Sequence, residues 1–282
     1  MNKHQDAESA LERLAMTHYE NFPVASRFIP RRYRRPIHLI YAFARTGDDI
    51  ADEWPDPKEE RLRALEEWFA RLQTAVEKNQ GTAFFMELAS VIRTYGLDLQ
   101  LFADLITAFR MDICHNGYRT YHDLLGYCRY SANPVGRLML QVFGSVTEEN
   151  YVLSDAFCTA LQLANFWQDL FIDTARGRFY IPDEDYARFG IDGSKQSRTS
   201  TSEALRTLMK FEVERTRQLF STASPLPQRV SASLGFELKL IWHGGMRILE
   251  KIERGGYDTL ASRPALGMAD KMLIAYRACV FG

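Results

Sequence analysis

Residues 41–53 read YAFARTGDDIADE and place four acidic residues within six positions, directly after an apolar run. This composition is typical of a helix that carries one polar stripe. At about 100° per residue, four polar side chains fall within roughly 60° of one another: Tyr41, Arg45, Asp48 and Asp52. Like charges one turn apart repel each other, and more strongly where water is excluded. We therefore expect a cation beside Asp48 and Asp52.

Apolar residues recur at helical spacing along the chain, whereas the alternating β-branched runs that are typical of strands are hard to find. Three apolar stripes have this spacing: Leu62, Leu65, Trp68, Phe69 and Leu72; Leu101, Leu105, Ile106 and Phe109; and Leu205, Leu208, Phe211, Val213 and Leu219. We interpret all three as core faces. Because neither a fixed repeat nor a break in composition occurs, the sequence predicts one all-α domain over residues 1–282.

The overall composition excludes several classes of protein. With 46% apolar residues the chain is globular, and its net charge of −1 gives no field that would attract nucleic acid. It has no run of about 18 apolar residues and no signal peptide, so we expect a soluble, cytosolic protein. The cysteines form no metal-binding or disulfide pattern, so we expect buried thiols at Cys114, Cys128, Cys158 and Cys279.

A second polar stripe lies at residues 162–173, which read QLANFWQDLFID. Asn165, Asp169 and Asp173 occupy successive i, i+4 positions, so a helix here carries their oxygen atoms on one face. The surrounding residues are large and apolar: Leu163, Phe166, Trp167, Leu170, Phe171 and Ile172. We therefore expect the stripe to point into an apolar interior or cleft, where its charges need partners.

Oxygen ligands without a neighbouring histidine or thiolate suit Mg²⁺, which prefers to share its shell with phosphate oxygens of a substrate. We predict that the two acidic helices face each other across an apolar cavity and hold Mg²⁺ against a diphosphate. For either motif alone, a solvated acidic face or an arginine-paired helix is the alternative. The predicted metal ligands are Asp48, Asp49, Asp52, Asn165, Asp169 and Asp173.

Other kinds of site fit the sequence less well. A di-iron carboxylate bundle requires Glu-x-x-His motifs, and the sequence has none. His115 and His122, with Cys114 and Cys128 nearby, match no usual zinc spacing, so we favour separate structural roles for them. The sequence also lacks a glycine-rich phosphate loop of either common type.

The two acidic motifs together resemble those of the squalene and phytoene synthases, which are head-to-head isoprenoid synthases of all-α fold. The resemblance extends over nearly the whole chain. It includes His18-x-x-Asn21-Phe22, Pro30, residues 127–136 (YCRYSANPVG), Arg178-x-Tyr180-Ile181-Pro182 and Arg254-x-x-Tyr257. It implies a single-domain isoprenoid synthase helical bundle around a central cavity.

Within the family, three departures resemble the hydroxysqualene synthases of bacterial hopanoid pathways. Gln168 stands where arginine is usual, Asn133-Pro134 replaces a glycine-containing segment, and Asn21 replaces an early serine. The resemblance implies that Mg²⁺ promotes ionisation of presqualene diphosphate, and that water capture then gives hydroxysqualene and diphosphate. It also implies two pathway partners, a paralogue that makes presqualene diphosphate and a flavoprotein that reduces the product.

The resemblance further implies roles for individual residues. Arg45 would contact phosphate or orient Asp48, with a structural salt bridge as its alternative. Aromatic faces would stabilise the carbocation, with plain core packing as their alternative, and side-chain amides would hold the attacking water. The expected catalytic residues are Asp48, Asp52, Asn165, Asp169, Arg45 and Tyr127. The expected substrate-binding residues are His18, Asn21, Phe22, Tyr41, Arg45, Gln162, Gln168 and Tyr257.

Two other functions stay open. One is an enzyme of the same family that joins two prenyl diphosphates into presqualene diphosphate, squalene or phytoene, and the other is a noncatalytic helical assembly factor. Five arginines form a basic run: Arg27, Arg31, Arg32, Arg34 and Arg35. Because such a run attracts phosphate groups, we expect either peripheral contact with anionic lipid at the inner face of the membrane or an approach of one or two of these arginines to phosphate. A solvated loop is the alternative.

Overall fold

The computed structural model describes residues 29–114, 117–192 and 201–280. Within these ranges every regular element is a helix, which confirms the predicted all-α class. In chain order the helices are α1 (Arg31–Asp52), α2 (Lys58–Lys78), α3 (Ala83–Tyr95), α4 (Leu99–Ile113), α5 (Tyr121–Ser131), α6 (Asn133–Val142), α7 (Glu148–Gln168), α8 (Leu170–Ala175), α9 (Asp183–Arg188), α10 (Glu203–Ala223), α11 (Leu226–Arg229), α12 (Ala232–Arg254) and α13 (Met268–Val280). None of these described helices is long and apolar enough to cross a membrane.

The described helices group into two compact units. The first contains α1 to α4 and, from Pro134 onward, α6; the second contains α5 and α7 to α13. The prediction of a single domain over residues 1–282 stays a prediction.

Trp68 lies at the centre of the first unit. Its side chain is buried, its Nε1 donates to Phe43 O at 3.2 Å, and its ring stacks on Phe43 and Phe84 with centroids 5.8 and 5.6 Å away. Side chains from α1, α2 and α3 therefore meet around one aromatic ring whose polar atom is satisfied.

Gly47 allows α4 to approach the backbone of α1. A Cβ at this position would lie 2.6 Å from Cε2 of Phe109, so the ring of Phe109 fits only against glycine. Because Gly47 directly precedes Asp48, the same packing fixes the acidic end of α1 within the first unit.

The second unit is built around α7, which packs against α10 and α12. The helix begins after Thr147, whose side chain accepts from Asn150 N at 3.0 Å and so caps the helix. Near its other end, Trp167 Nε1 donates to Thr216 Oγ1 of α10 at 2.8 Å, and both side chains are buried. The C-terminal end of α7, which carries the second polar stripe, is therefore held firmly in the unit.

The three predicted apolar stripes are core faces. Leu65, Trp68 and Leu72 are fully buried. The second stripe is buried throughout, and in the third stripe Leu205, Leu208 and Val213 are buried while Phe211 is half-buried. Residues at the edges of the stripes, such as Leu62 and Phe69, are half-buried. The helical spacing thus predicted which side of each helix is buried, but not which residues at the edges of that side stay partly exposed.

The expectation that all four cysteines are buried is wrong. Cys128 is buried, which raises the pKa of its thiol to about 12, whereas Cys114 and Cys279 are exposed and Cys158 is half-buried. Cys114 immediately follows the last residue of α4, and Cys279 lies on the outward side of α13. Neither a helix end nor an outward face requires a small side chain to be buried.

Candidate active site

Arg45 is the cation that lies beside the acidic face of α1. Its guanidinium nitrogens lie 2.7 Å from Asp49 Oδ1, 3.0 Å from Asp48 Oδ2 and 3.2 Å from Glu53 Oε1. Partial burial alone would lower the pKa of Arg45, but these three carboxylates together outweigh it and raise the pKa. The charge that the acidic stripe requires is therefore supplied by a residue of the same helix.

The aspartates of this helix differ in exposure. The side chain of Asp49 is 5% exposed and that of Asp48 is 40% exposed, while Asp52 is half-buried. An incoming ligand can therefore reach Asp48 and Asp52 more readily than Asp49. The burial of Asp49 against Arg45 favours a structural ion pair, and its role as a metal ligand stays a prediction. Tyr41, one turn before Arg45, is also half-buried.

The second polar stripe is not the single continuous helix that the sequence analysis expected. The backbone leaves helical geometry at Asp169, with φ −99° and ψ 11°, so α7 ends at Gln168 and α8 begins at Leu170. Two hydrogen bonds bridge the break, because Asp169 N donates to Asn165 O at 2.8 Å and Asp173 N donates to Asp169 O at 2.9 Å. The helical hydrogen-bond pattern therefore continues from Asn165 through Asp169 to Asp173, although the backbone is distorted at Asp169.

The apolar surroundings of this stripe are buried on only one side. Trp167 and Leu170 are buried as expected, but Phe171 is 55% exposed and Asn165 is also exposed. Phe171 lies in the short helix after the break, outside the face that α7 buries. The side chain of Asp169 is 30% exposed. The stripe therefore lies at the edge of a cleft in the second unit rather than in a sealed interior.

A segment that follows α12, residues 263–266, closes against the break and is called here the cover segment. Arg263 donates from Nε and Nη2 to the two carboxylate oxygens of Asp169, the second at 3.3 Å. Gln168 Nε2 donates to Pro264 O at 2.6 Å. The hydrogen bond to Asp169 is the main cause of a raised pKa of Arg263. Arg263 is not among the residues predicted from the sequence, because a partner 94 residues away leaves no sign in the local spacing.

The cover segment borders a pocket of about 520 Å³ in the second unit. Three polar side chains line it, those of Asn165, Gln168 and Arg263. The remaining walls come from α7, α12 and the cover segment, and they are apolar: Leu161, Ala164, Ile241, Gly244, Gly245, Ile248, Ala265 and Leu266. Apolar walls with a few polar groups at one end suit an amphiphilic ligand with an apolar chain and a polar head.

Tyr127, an expected catalytic residue, belongs to a buried cluster of aromatic rings. Its centroid lies 6.1 Å from that of Phe166 and 6.2 Å from that of Tyr180, and the latter two rings stack at 3.7 Å. Phe166 is the residue after Asn165, so the cluster packs against the C-terminal end of α7. This contact shows how Tyr127 can influence the stripe through packing, and its catalytic role stays a prediction.

The other expected substrate-binding residues are distributed more widely. Tyr257 follows α12 in the left-handed conformation, with φ 60°, and burial together with Glu253 raises its pKa. Gln162 is half-buried on α7, about two turns before the break at Asp169. His18, Asn21 and Phe22 lie outside the described residues. The roles of all five stay predictions.

The part of the chain that the structure describes holds no ready-made cluster of three or more histidine, cysteine, aspartate or glutamate side chains around a metal position. The donors that are present are nonetheless carboxylate and amide oxygens, which suit a hard divalent cation. Arg45 and Arg263 pair with Asp48 and Asp169, so both stripes already attract a cation. The oxygen donors of each stripe are therefore of the kind that fits Mg²⁺. His115, part of the zinc alternative, lies outside the described residues.

The family model of squalene/phytoene synthases matches residues 15–270 of this chain. The chain belongs to the squalene/phytoene synthase family. Its members are isoprenoid synthases, so the resemblance noted from the two acidic motifs is confirmed. The match includes α1, the break at Asp169 and the cover segment.

Relatives within the squalene/phytoene synthase family share much of the sequence. Hydroxysqualene synthase from Zymomonas mobilis is 33% identical over 92% of this chain and 86% of its own length, and that from Rhodopseudomonas palustris is 34% identical over 92% and 87%. The crystal structure of squalene synthase HpnC from Alicyclobacillus acidocaldarius is 40% identical and covers 88% of this chain and 94% of its own, with a TM-score of 0.81. A dehydrosqualene synthase structure, 20% identical with a TM-score of 0.82 and 99% of both chains covered, shares the fold.

Proposed function

We propose that this family member is a hydroxysqualene synthase, which converts presqualene diphosphate and water into hydroxysqualene and diphosphate. The observation that carries the proposal is the 33 and 34% identity to two hydroxysqualene synthases across 92% of the chain. Gln168, which stands where the family usually has arginine, supports it. Its amide donates to Pro264 O, so this position holds the cover segment in place instead of supplying a positive charge.

We propose that Mg²⁺ is held by carboxylate and amide oxygens, which are those of Asp48 and Asp52 in the first unit and those of Asn165, Asp169 and Asp173 in the second. When bound, Mg²⁺ supplies Lewis-acid stabilisation of the negative charge that develops on the departing diphosphate. The exposure of Asp48 and Asp169 supports their part in this arrangement, because both can be reached by a ligand from solvent.

Arg45 and Arg263 serve as exchangeable counter-charges in this proposal. Each guanidinium neutralises carboxylates of its own stripe. If a divalent ion bound those carboxylates, each guanidinium would be free to donate charge-assisted hydrogen bonds to phosphate. Arg263 thereby supplies a positive charge close to Gln168, the position at which the family usually has arginine.

The pocket in the second unit provides the remaining functions. Its apolar walls exclude water from the hydrocarbon part of the substrate, which protects a carbocation from early capture. The amides of Asn165 and Gln168 lie at its polar end, where they can hold one water molecule for the final addition. Aromatic faces, for which Tyr41, Tyr127 and Tyr257 are the described candidates, stabilise the positive charge.

A product assay tests the proposed function directly. Purified protein with Mg²⁺ is incubated with presqualene diphosphate in one tube and with farnesyl diphosphate in another. We expect hydroxysqualene from the first tube and no product from the second. The Asp169→Asn variant should lose this activity, whereas Asp56→Asn, at an exposed aspartate just beyond α1, should keep it. Turnover of farnesyl diphosphate alone would contradict the proposal.

The second candidate function is condensation of two prenyl diphosphates. It is favoured by the name squalene synthase of the 40% identical structure, and by a phytoene synthase from Daucus carota that is 29% identical over 88% of this chain. The same assay separates the two functions. If the protein is the hydroxysqualene synthase, we propose that a paralogue supplies presqualene diphosphate and that a flavoprotein reduces the product. Inactivity with both substrates would favour the noncatalytic assembly factor.

A further inference from the structure

The outward face of α13 is apolar. Met268, Met272, Tyr276 and Val280 follow one another at i, i+4 spacing and are 73%, 65%, 59% and 53% exposed. Side chains at this spacing form one continuous ridge along a helix. A row of four large exposed apolar residues is unlike the scattered single ones that ordinary surfaces carry.

Two of the three charged residues of α13, Asp270 and Arg277, pair with α12. Asp270 is buried and accepts from Arg247 Nε at 2.7 Å and from Lys251 Nζ at 3.0 Å. Arg277 Nη1 donates to Glu250 Oε1 at 2.6 Å. Ile274 and Ala278 are buried on the same side as Asp270, so α13 carries apolar side chains on its inward side and on its outward side. The ion pairs hold the helix in this orientation, because rotating it would leave them unpaired.

The apolar ridge begins where the pocket lining ends. Leu266, a wall residue of the pocket, lies two positions before Met268, the first residue of the ridge. Ile241 of α12, another wall residue, is 41% exposed. The ridge therefore starts two residues after the pocket lining, and apolar side chains are exposed both on the ridge and at the pocket.

The size and charge of the ridge indicate what covers it. A helix of 13 residues is about 20 Å long, and four side chains on it provide much less than the roughly 800 Å² that each partner contributes to a stable dimer. Lys271 is the one exposed charged residue within the described helix, and it is a cation. A short apolar ridge with a basic side chain suits the surface of a bilayer that contains anionic lipid.

We propose that α13 docks the protein on a lipid bilayer, so that the apolar substrate passes from the membrane along the ridge into the pocket. The passage of substrate rests on the proposed function, whereas the docking itself does not. The four side chains enter the interface region of the lipid, Lys271 contacts anionic headgroups, and the ion pairs with α12 keep the ridge pointed at the membrane. The sequence predicts lipid contact at a different place, the basic run within residues 27–35, and that contact stays a prediction.

Vesicle binding without substrate or metal tests the docking. Purified full-length protein is sedimented with phosphatidylcholine vesicles and with vesicles that also contain phosphatidylglycerol. We expect binding to both and tighter binding to the second. Met272→Gln combined with Tyr276→Gln should weaken both by tenfold or more, because the apolar contact is lost without a change in charge. Lys271→Gln should remove only the preference for anionic lipid.

Val152→Gln is the matched control, since Val152 is a 63% exposed apolar residue on α7, away from the ridge, and it should bind like the wild type. The helical content of every variant is checked by circular dichroism. No vesicle binding by the wild type, or equal binding by the double variant, would overturn the proposal. A dimer that the double variant dissociates in light scattering would assign the ridge to a second copy instead. Turnover of detergent-dispersed presqualene diphosphate, measured in parallel, reports on the proposed function separately.

Discussion

A buried carboxyl group in the second unit should make the protein less stable as the pH rises. Glu212 of α10 is fully buried, and Arg215 Nη2 donates to both of its carboxylate oxygens at 2.8 and 2.7 Å. The same nitrogen also donates to Asp185 Oδ2 at 2.8 Å. Burial is the largest influence and Asp185 adds to it, so together they outweigh Arg215 and raise the pKa of Glu212 from 4.5 to about 8.

The sign and size of the effect follow from this pKa. Below pH 4.5 the carboxyl group is protonated in both the folded and the unfolded chain, so its contribution to stability is fully present. Between pH 4.5 and about 8 the unfolded chain releases a proton that the folded chain keeps, so folding becomes less favourable. The slope is about 1.4 kcal/mol per pH unit, which amounts to about 2 to 3 kcal/mol between pH 5.5 and 7.5.

Glu212→Gln removes this titration while keeping the shape and the hydrogen-bond acceptor of the side chain. The free energy of unfolding is measured by urea denaturation, followed by circular dichroism, at both pH values. The wild type should lose about 2 to 3 kcal/mol more than the variant over this range. Glu214→Gln, on the exposed side of the same helix, should keep the slope of the wild type. Equal slopes for the wild type and Glu212→Gln would refute the reasoning.

Three other variants test the packing and the metal site. Gly47→Ala should lower the free energy of unfolding by about 1 to 3 kcal/mol in urea denaturation, because the new methyl group would overlap the ring of Phe109; an unchanged value would mean that the ring moves freely. Arg263→Gln should tighten binding of Mn²⁺ about fivefold in electron paramagnetic resonance without substrate, because a partly exposed ion pair worth up to ~1 kcal/mol no longer competes for Asp169. Unaltered Mn²⁺ affinity would exclude that competition. Asp52→Asn should lower kcat at least about a hundredfold at saturating Mg²⁺, and chelation should abolish turnover of the wild type reversibly; activity that survives both changes would rule out the metal mechanism.

Hydrophobic periodicity was sufficient to predict the fold class. The stripe around Trp68 and the one that includes Phe109 are buried as expected, because helices that build a core must turn their apolar faces toward it. The same rule gives only part of the orientation of α13, because Ile274 and Ala278 are buried as it predicts but Asp270 is buried beside them. Asp270 pairs with Arg247 of another helix, so local spacing does not reveal its burial.

The candidate site was predictable only where its contacts are local. Arg45 pairs with carboxylates three and four positions away, so the helical spacing alone brought them together. The break at Asp169 left no sign in the sequence, because the residues on both sides have ordinary helix-forming character. Arg263 was missed because it reaches Asp169 through the tertiary fold of the second unit.

The two arginines should respond differently when a divalent ion and a diphosphate arrive. Arg263 holds Asp169 through a partly exposed pair, and such pairs contribute at most about 1 kcal/mol, so an ion can displace the whole guanidinium. Arg45 is held differently, because Asp49 is buried beside it and removing a charge from a buried partner is costly. We therefore expect Arg45 to release Asp48 while it stays paired with Asp49. On this reasoning the buried Asp49 positions Arg45 toward phosphate and leaves metal binding to Asp48 and Asp52, so Asp49→Asn should weaken substrate binding far more than Mn²⁺ binding. Comparable losses of both would place Asp49 among the metal ligands after all.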